Sequence, residues 1–185
     1  MTSFIRNLNG IRVRVPARDI KRFYSIQSLK YKYQPQVYIH VVDKSTANVS
    51  FSAKPHSVPI GRIDGIDGSN LTNVKIESDL FKENKKFLEI LHRLIGNRVQ
   101  EDFAYKVEAG THANSFLPIY DFRAPPAYGR TPEVYNVFGY VHVNESGEMV
   151  PGSYEINQMY RLCNQTDGIV HLSDFLYEEI QSMIA

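Results

Sequence analysis

The chain has 185 residues, of which 43% are hydrophobic and 12% are aromatic, enough for one domain with its own core. Its single cysteine, Cys163, excludes an intramolecular disulfide and any zinc site built from several cysteines. No apolar run approaches the ~18 residues of a membrane-spanning helix. We therefore expect a soluble protein without stable membrane insertion.

The formal net charge of +1 conceals a strong asymmetry along the chain. Residues 1–60 hold ten Lys/Arg and two acidic residues, whereas residues 131–185 hold one base, Arg161, and eight acidic residues. A basic arm of this kind serves targeting, nucleic-acid binding or attraction to an anionic membrane.

Residues 1–24 carry six Lys/Arg and one acid, Asp19. Their apolar residues recur at three- and four-residue steps and would share one face of a helix: Phe4, Ile5, Leu8, Ile11 and Val15. An Arg-rich, acid-poor, amphipathic segment is typical of a mitochondrial transit peptide. Arg22–Ser25 resembles a site cut by matrix peptidases, so we predict a transit peptide over residues 1–24 and a single domain over residues 25–185. Two alternatives stay open: a structural strand and helix, or a retained basic arm that binds RNA.

Beyond residue 25, short strand patterns are interrupted by two amphipathic helix patterns. The helices are predicted at Leu80–Arg98, capped by Ser78 or Asp79, and at Asp174–Ile184, capped by Ser173. A short helix start is predicted at residues 131–133. Strands are predicted at 36–43, 49–51, 58–63, 71–77, 102–107, 116–123, 138–143, 148–150, 160–163 and 169–171. The absence of a βαβ rhythm predicts an α+β fold: one domain with a mixed or antiparallel sheet, one long central helix and a C-terminal helix.

The candidate ligand-binding residues lie between positions 112 and 130: His112, Asp121, Arg123, Tyr128 and Arg130. On a strand, Asp121 and Arg123 would point the same way, and two arginines beside an aspartate suit a carboxylate or a phosphate. The competing interpretation is a structural ion network that fixes the following proline-bearing loop to the sheet.

The sequence predicts no metal site and no cofactor. None of the six histidines forms a pair at the helical spacing of a zinc protease, and no glycine-rich phosphate loop is present. Cys163 follows Leu162 in a predicted strand, so we expect a small buried apolar residue rather than a nucleophile. Whether the chain is an enzyme, and which residues would be catalytic, is left open.

RNA is a partner that the sequence allows but does not favour. Lys30–Tyr33 alternates bases with aromatics, a pattern that contacts phosphates and stacks on nucleic-acid bases. Loss of residues 1–24 would remove six bases and one acid and leave a net charge of −4. That charge opposes general affinity for nucleic acid.

The stretch from 116 to 176 resembles a segment of fungal mitochondrial proteins of uncharacterised activity. The shared residues are IYDFRAPPAYGRTPEVYNVFGYV, PGSY at 151–154, MYRL at 159–162 and LSDFL at 172–176. The resemblance implies a mitochondrial setting and assigns no functional residue.

Three functional hypotheses follow. The first is a non-enzymatic accessory or assembly protein of a larger complex, ribosomal or respiratory, in the mitochondrial matrix. The second is a small-molecule enzyme or anionic-ligand binder that uses Asp121, Arg123 and Arg130. The third is an RNA-binding protein with a retained basic arm. The oligomeric state is not predicted.

Overall fold

The computed structural model describes residues 27–66, 75–127 and 130–185. Its helices are α1 (Lys85–Arg98), α2 (Phe103–Ala109) and α3 (Asp174–Ile184). Its strands are β1 (Ser28–Lys30), β2 (Tyr38–Val41), β3 (Thr46–Ser50), β4 (Gly61–Asp64), β5 (Phe81–Glu83), β6 (Phe116–Tyr120), β7 (Val137–His142), β8 (Glu155–Ile156), β9 (Cys163–Asn164) and β10 (Gly168–Ile169). The transit peptide predicted for residues 1–24 lies outside the described residues.

The first five strands form one sheet in the order β1-β2-β3-β4-β5, with every neighbouring pair antiparallel. Alternate residues of the strands face the core, as the two-residue period of a strand requires. Ile39, Val49 and Ile63 are almost completely buried on this face.

Helices α1 and α3 pack together and complete the core. The ring of Phe51, directly after β3, lies 5.8 Å from Phe87 of α1 and 5.7 Å from Tyr177 of α3. The backbone N–H of Val58 donates to the carbonyl of Ile184 over 3.0 Å, which fastens the end of α3 beside the sheet. The described residues thus form one α+β domain.

The second half of the chain adds a three-stranded antiparallel sheet, ordered β6-β7-β8, and the β9–β10 hairpin. Two buried glutamine side chains connect this half to the first. Gln36 pairs with both the N–H and the carbonyl of Leu172, at 3.0 and 2.9 Å, and Gln34 donates to the carbonyl of Val170 over 2.9 Å. These amides replace the backbone partners that a neighbouring strand would have supplied.

The α+β class, the long helix and the C-terminal helix are confirmed, but the predicted start of the long helix is wrong. Residues 81–83 form β5, and α1 begins at Lys85 because Asn84 accepts a hydrogen bond from the N–H of Lys86. Ser78 and Asp79 therefore do not cap the helix. Pairing of β5 with β4 outweighs the local helical pattern.

The strand predicted at 102–107 is also wrong, because this segment is helix α2. Phe103, Tyr105 and Val107 alternate with Ala104 and Lys106 in a two-residue period, but the side chains that the fold buries are Tyr105 and Ala109, four residues apart. Asp102 caps the helix by accepting from the N–H of Ala104 over 3.0 Å.

Other predicted elements are shorter in the structure. Residues 75–77 are not a strand, and residues 71–74 lie outside the described part. The helix start at 131–133 is replaced by a single 3₁₀ turn at 134–136. The return strand at 148–150 is reduced to one bridge between Val143 and Met149. No helix in the described part of the chain is long and apolar enough to cross a membrane.

Candidate functional site

Asp121 and Arg123 form a buried ion pair immediately after β6. Arg123 Nε lies 3.0 Å from Asp121 Oδ1, and Arg123 Nη2 lies 2.7 Å from Oδ2, so the contact is bidentate. The side chain of Arg123 is 2% exposed and that of Asp121 is completely buried. The backbone N–H of Arg123 also donates to Asp121 Oδ1, over 3.0 Å, and closes the local turn.

The remaining donors of Arg123 bind backbone carbonyls around the β9–β10 hairpin. Nη1 donates to the carbonyl of Gly168 over 2.7 Å and to that of Leu162 over 3.3 Å, while Nη2 also donates to the carbonyl of Arg161. Together with the two bonds to Asp121 these contacts use all five guanidinium N–H groups. Arg123 therefore has no N–H left for an external anion and holds the hairpin against the end of β6.

Tyr160 completes this network. Its hydroxyl donates to Asp121 Oδ2 over 3.1 Å, and the Arg123 guanidinium lies 5.6 Å from the centre of its ring. Burial raises the pKa of Asp121 to about 6, although Arg123 and Tyr160 act in the opposite direction. Burial also raises the pKa of Tyr160 well above its ordinary value, so its hydroxyl keeps its proton and remains a donor.

Of the other predicted ligand-binding residues, neither described one joins the ion pair through a hydrogen bond. His112 lies in the turn after α2, where its Nδ1 is 3.0 Å from Thr111 Oγ1 and 3.2 Å from the carbonyl of Glu108. Arg130 is exposed. Tyr128 lies outside the described residues.

A groove of about 480 Å³ borders the ion pair. Its lining includes three carboxylates, Glu77, Asp79 and Asp167, together with Lys75 and the engaged Arg123. An anion entering the groove would meet these carboxylates, which is unfavourable at short range. The groove thus offers little to the carboxylate or phosphate that the sequence pattern suggested.

A second surface also carries exposed apolar side chains. Two neighbouring segments carry four large apolar residues that are 39–48% exposed; they are Val134, Tyr135, Ile156 and Met159, and we call them the docking surface. A folded protein tolerates single exposed apolar residues, but a group of them marks an interaction site.

Hydrogen bonds through Asn157 hold the two segments of the docking surface together. Asn157 Nδ2 donates to the carbonyls of Val134 and Val137, each over 2.8 Å, and its backbone N–H donates to the carbonyl of Phe138 over 3.0 Å. The backbone N–H of Arg161 donates to the carbonyl of Tyr135 over 3.1 Å. The two segments that carry the four apolar side chains are therefore held next to each other.

A buried asparagine supports the docking surface from behind. Asn136, which is completely buried, donates to Asp167 Oδ2 over 2.9 Å and accepts from Asn164 Nδ2 over 2.8 Å. Its carbonyl accepts from the backbone N–H of Asp121 over 2.8 Å. The turn that carries Val134 and Tyr135 is thus fixed to both β6 and the β9–β10 hairpin.

The docking surface includes an open sheet edge. Asn157 and Phe138 form a hydrogen-bonded pair, so the preceding pair, Ile156 opposite Gly139, is of the non-hydrogen-bonded kind. The N–H and the carbonyl of Ile156 consequently point away from β7. Because β8 is the last strand of its sheet, no strand in the described residues covers them. Such an edge pairs readily with an added strand.

A groove of about 520 Å³ runs between α1 and residues 156–161, alongside Ile156. His92 of α1 lines it and lies 2.9 Å, through Nδ1, from the hydroxyl of Tyr154. Burial lowers the pKa of His92, which favours the neutral ring. Burial raises the pKa of Tyr154, so its hydroxyl keeps its proton beside the ring of His92.

The charged residues directly next to the four apolar residues in sequence are negative. Glu133 and Glu155, each next to one of these apolar residues, are both exposed. Two bases, Arg93 and Arg161, line the adjacent groove. Arg161 has its Nη1 turned to the carbonyls of Tyr160 and Gln158, at 2.9 and 3.4 Å. A Lys or Arg side chain placed close to Glu133 or Glu155 would be attracted, and an acidic one repelled.

The single cysteine is not one of the residues of this surface. Cys163 is buried, as its sequence context predicted, and burial raises the pKa of its thiol to about 11. A thiol with such a pKa is not a nucleophile at neutral pH. In the described residues no group of three or more His, Cys, Asp or Glu side chains could hold a metal ion.

Sequence reasoning missed the docking surface. The sequence features that could have indicated it are Ile156 and Met159, two apolar residues in a largely polar stretch, and the apolar pair Val134–Tyr135.

Comparison with protein families, with curated proteins and with solved structures finds no match to this chain.

Proposed function

We propose that this chain is an accessory or assembly protein that binds a partner protein of a larger complex through the docking surface. The observation that carries the proposal is the coincidence of four exposed apolar side chains with the open edge of β8. Burial of the apolar side chains would drive association, and hydrogen bonds to the N–H and carbonyl of Ile156 would set the orientation of the partner segment. The proposed role is binding rather than catalysis.

The partner contributes an extended segment with apolar and basic side chains. An extended segment can pair with the N–H and carbonyl of Ile156, and its alternate side chains would then reach Ile156 and Tyr135. Basic residues on the segment would meet Glu133 and Glu155. The fixed position of Asn136 favours this mode because a rigid surface loses little conformational entropy on binding.

We place the protein in the mitochondrial matrix. Support comes from the basic, amphipathic composition of residues 1–24, which an energised inner membrane draws inward. N-terminal sequencing of the native protein tests this part alone: a start near Ser25 is expected, and an intact start at Met1 or Thr2 in cytosolic protein would refute it.

The anionic-ligand hypothesis receives less support, because all donors of Arg123 are engaged within the fold. The retained basic arm of the RNA hypothesis lies outside the described residues. Within them, the feature that contributes is the exposed ring of Tyr33 with Lys32 Nζ 5.7 Å from its centre. One stacking platform does not form a nucleic-acid groove.

Binding of designed peptides tests the docking proposal directly. Two fluorescent peptides of equal length, one alternating Val with Lys and the other Val with Glu, are titrated with the protein and followed by fluorescence anisotropy. We expect the Val-Lys peptide to bind and the Val-Glu peptide not to bind. The variant Ile156→Lys should lose binding of the Val-Lys peptide, because it adds a like charge at the centre of the surface.

The matched control for that titration is Phe103→Lys. Phe103 is 77% exposed and lies on α2, outside the docking surface. This variant should bind the Val-Lys peptide as the wild type does. Equal losses in both variants, or equal binding of the two peptides, would refute the proposed surface.

A further inference from the structure

Ser28 and His40 face each other across β1 and β2, with Ser28 Oγ 2.8 Å from His40 Nδ1. The neighbouring pair, Gln27 and Val41, is hydrogen-bonded, since the N–H of Val41 donates to the carbonyl of Gln27 over 2.9 Å. Ser28 and His40 therefore form a non-hydrogen-bonded pair, the kind whose side chains come closest.

The other ring nitrogen of His40 fixes the direction of this hydrogen bond. His40 Nε2 lies 2.9 Å from the carbonyl oxygen of Ser52, which can only accept. Nε2 therefore carries a hydrogen, and in the neutral ring Nδ1 carries the lone pair. The hydroxyl of Ser28 then donates to Nδ1.

This arrangement is that of a nucleophile and its general base. A hydroxyl donates to an imidazole, and the imidazole is oriented by an acceptor on its far side. His40 is 1% exposed, whereas Ser28 is exposed. The imidazole is thus shielded from water, and the serine bonded to it lies on a residue at the protein surface.

The edge position of β1 contributes a further feature. Because Ser28 belongs to a non-hydrogen-bonded pair and β1 is the outer strand of its sheet, its N–H points away from β2, and no strand in the described residues covers it. In serine hydrolases the N–H of the nucleophilic serine itself helps to stabilise the oxyanion.

We infer that Ser28 is an activated nucleophile that accepts acyl groups from reactive esters, with His40 as its general base. Ser28 Oγ forms a bond to the acyl carbon, the ester bond to the alcohol breaks, and the proton of Ser28 passes to His40 Nδ1 and on to the departing alkoxide or phenoxide. The product is an O-acyl serine and a free alcohol. This inference concerns β1 and β2 and is independent of the docking surface formed by Val134, Tyr135, Ile156 and Met159.

Acetylation by p-nitrophenyl acetate tests the inference in the full chain. Peptide mass spectrometry at a series of times gives the acetylation rates of Ser28 and of Ser182, an exposed serine whose hydroxyl donates only to the Glu179 carbonyl. We expect Ser28 to react about 100-fold faster or more, the usual contribution of a general base. Equal rates would show that the Ser28–His40 contact only satisfies a buried histidine.

Two variants complete the test. Ser28→Ala should lose the fast acetylation altogether, and persistence of that reaction would place it on another residue. His40→Gln keeps an N–H for the Ser52 carbonyl but lacks a basic nitrogen, so Ser28 acetylation should fall to the rate of Ser182. An unchanged rate in folded His40→Gln would overturn the inference; if this variant does not fold, the comparison of Ser28 with Ser182 in the wild type decides.

Discussion

The carboxylate of Asp102 accepts a hydrogen bond from the hydroxyl of Ser173, and each of these buried residues caps a helix. Asp102 Oδ1 accepts from the N–H of Ala104 at the start of α2, and Ser173 Oγ accepts from the N–H of Leu176 at the start of α3. The N-terminal ends of two helices thus share one carboxylate, which is favourable at the positive end of each helix dipole. This contact fixes α2 relative to α3.

Ser173→Ala should reduce the free energy of unfolding by about 1–3 kcal/mol, because it removes a cap and leaves Asp102 Oδ2 without its hydroxyl donor. Urea denaturation measures the loss. The matched control is Asp174→Ala at the neighbouring exposed position, which should cost less than about 1 kcal/mol. Equal effects of the two changes would mean that the shared carboxylate is unimportant for stability.

Arg123→Met should reduce the free energy of unfolding by about 3–5 kcal/mol, because it leaves the carboxylate of Asp121 buried without its partner. The double variant Asp121→Leu/Arg123→Met should recover part of that loss, since no uncompensated charge remains. Urea denaturation again provides the values.

Arg130→Met is the control for the buried arginine. Arg130 is exposed, so its replacement should change stability by less than about 0.5 kcal/mol. An effect of Arg123→Met as small as this would contradict the structural role assigned to the Asp121–Arg123 pair.

The contribution of His92 to the free energy of unfolding should fall on acidification, whereas the raised pKa of Asp121 acts in the opposite direction over the same range. Burial lowers the pKa of His92 below its ordinary 6.5, so the unfolded chain takes up this proton first. The contribution of His92 to the free energy of unfolding is fully present above pH 6.5. It is lost as the pH falls through the pKa of His92 in the folded state, which is lower than 6.5. Urea unfolding from about pH 7 to about pH 5 should give a smaller slope for His92→Gln than for the wild type. Identical slopes would contradict the burial of a neutral ring.

Gly139→Ala should disrupt the pairing of β7 with β8. A Cβ at this position would collide with the carbonyl of Glu155 and the ring of Tyr154. We expect a loss of about 1–3 kcal/mol, the usual cost of overpacking, together with weaker binding of the Val-Lys peptide. In Gly110→Ala the new Cβ meets an ordinary contact at 3.6 Å, so stability and binding should be retained. If Gly139→Ala bound the Val-Lys peptide as tightly as the wild type does, binding would not depend on the position of β8.

Elements with both a local pattern and a cap were predictable from the sequence. For α3, Ser173 caps a run in which Leu176, Ile180 and Ile184 are buried at helical spacing. For α2 the cap, Asp102, was equally visible, but the alternation of Phe103, Tyr105 and Val107 indicated a strand. Tertiary packing favours the helix over the strand here, because it buries Tyr105 and leaves Phe103 and Val107 exposed.

The candidate sites also contain contacts that local spacing predicts and contacts that only the tertiary structure sets. That Asp121 and Arg123 meet could be anticipated from their spacing, whereas the engagement of Arg123 with Leu162 and Gly168 depends on a hairpin about forty residues away. The exposure of Ile156 and Tyr135 likewise follows from tertiary structure. Ser28 and His40 meet only through the register of β1 and β2, which the sequence pattern did not specify.

Density-gradient sedimentation of the tagged protein, in a gentle lysate of cells that normally make it, tests the central claim most directly. Three forms are compared: the wild type, the variant Ile156→Lys/Met159→Lys, and Phe103→Lys. The account predicts that the wild type and Phe103→Lys sediment with a large complex and that the double variant sediments as a small protein. Sedimentation of all three forms as small proteins, or of all three with the complex, would contradict it.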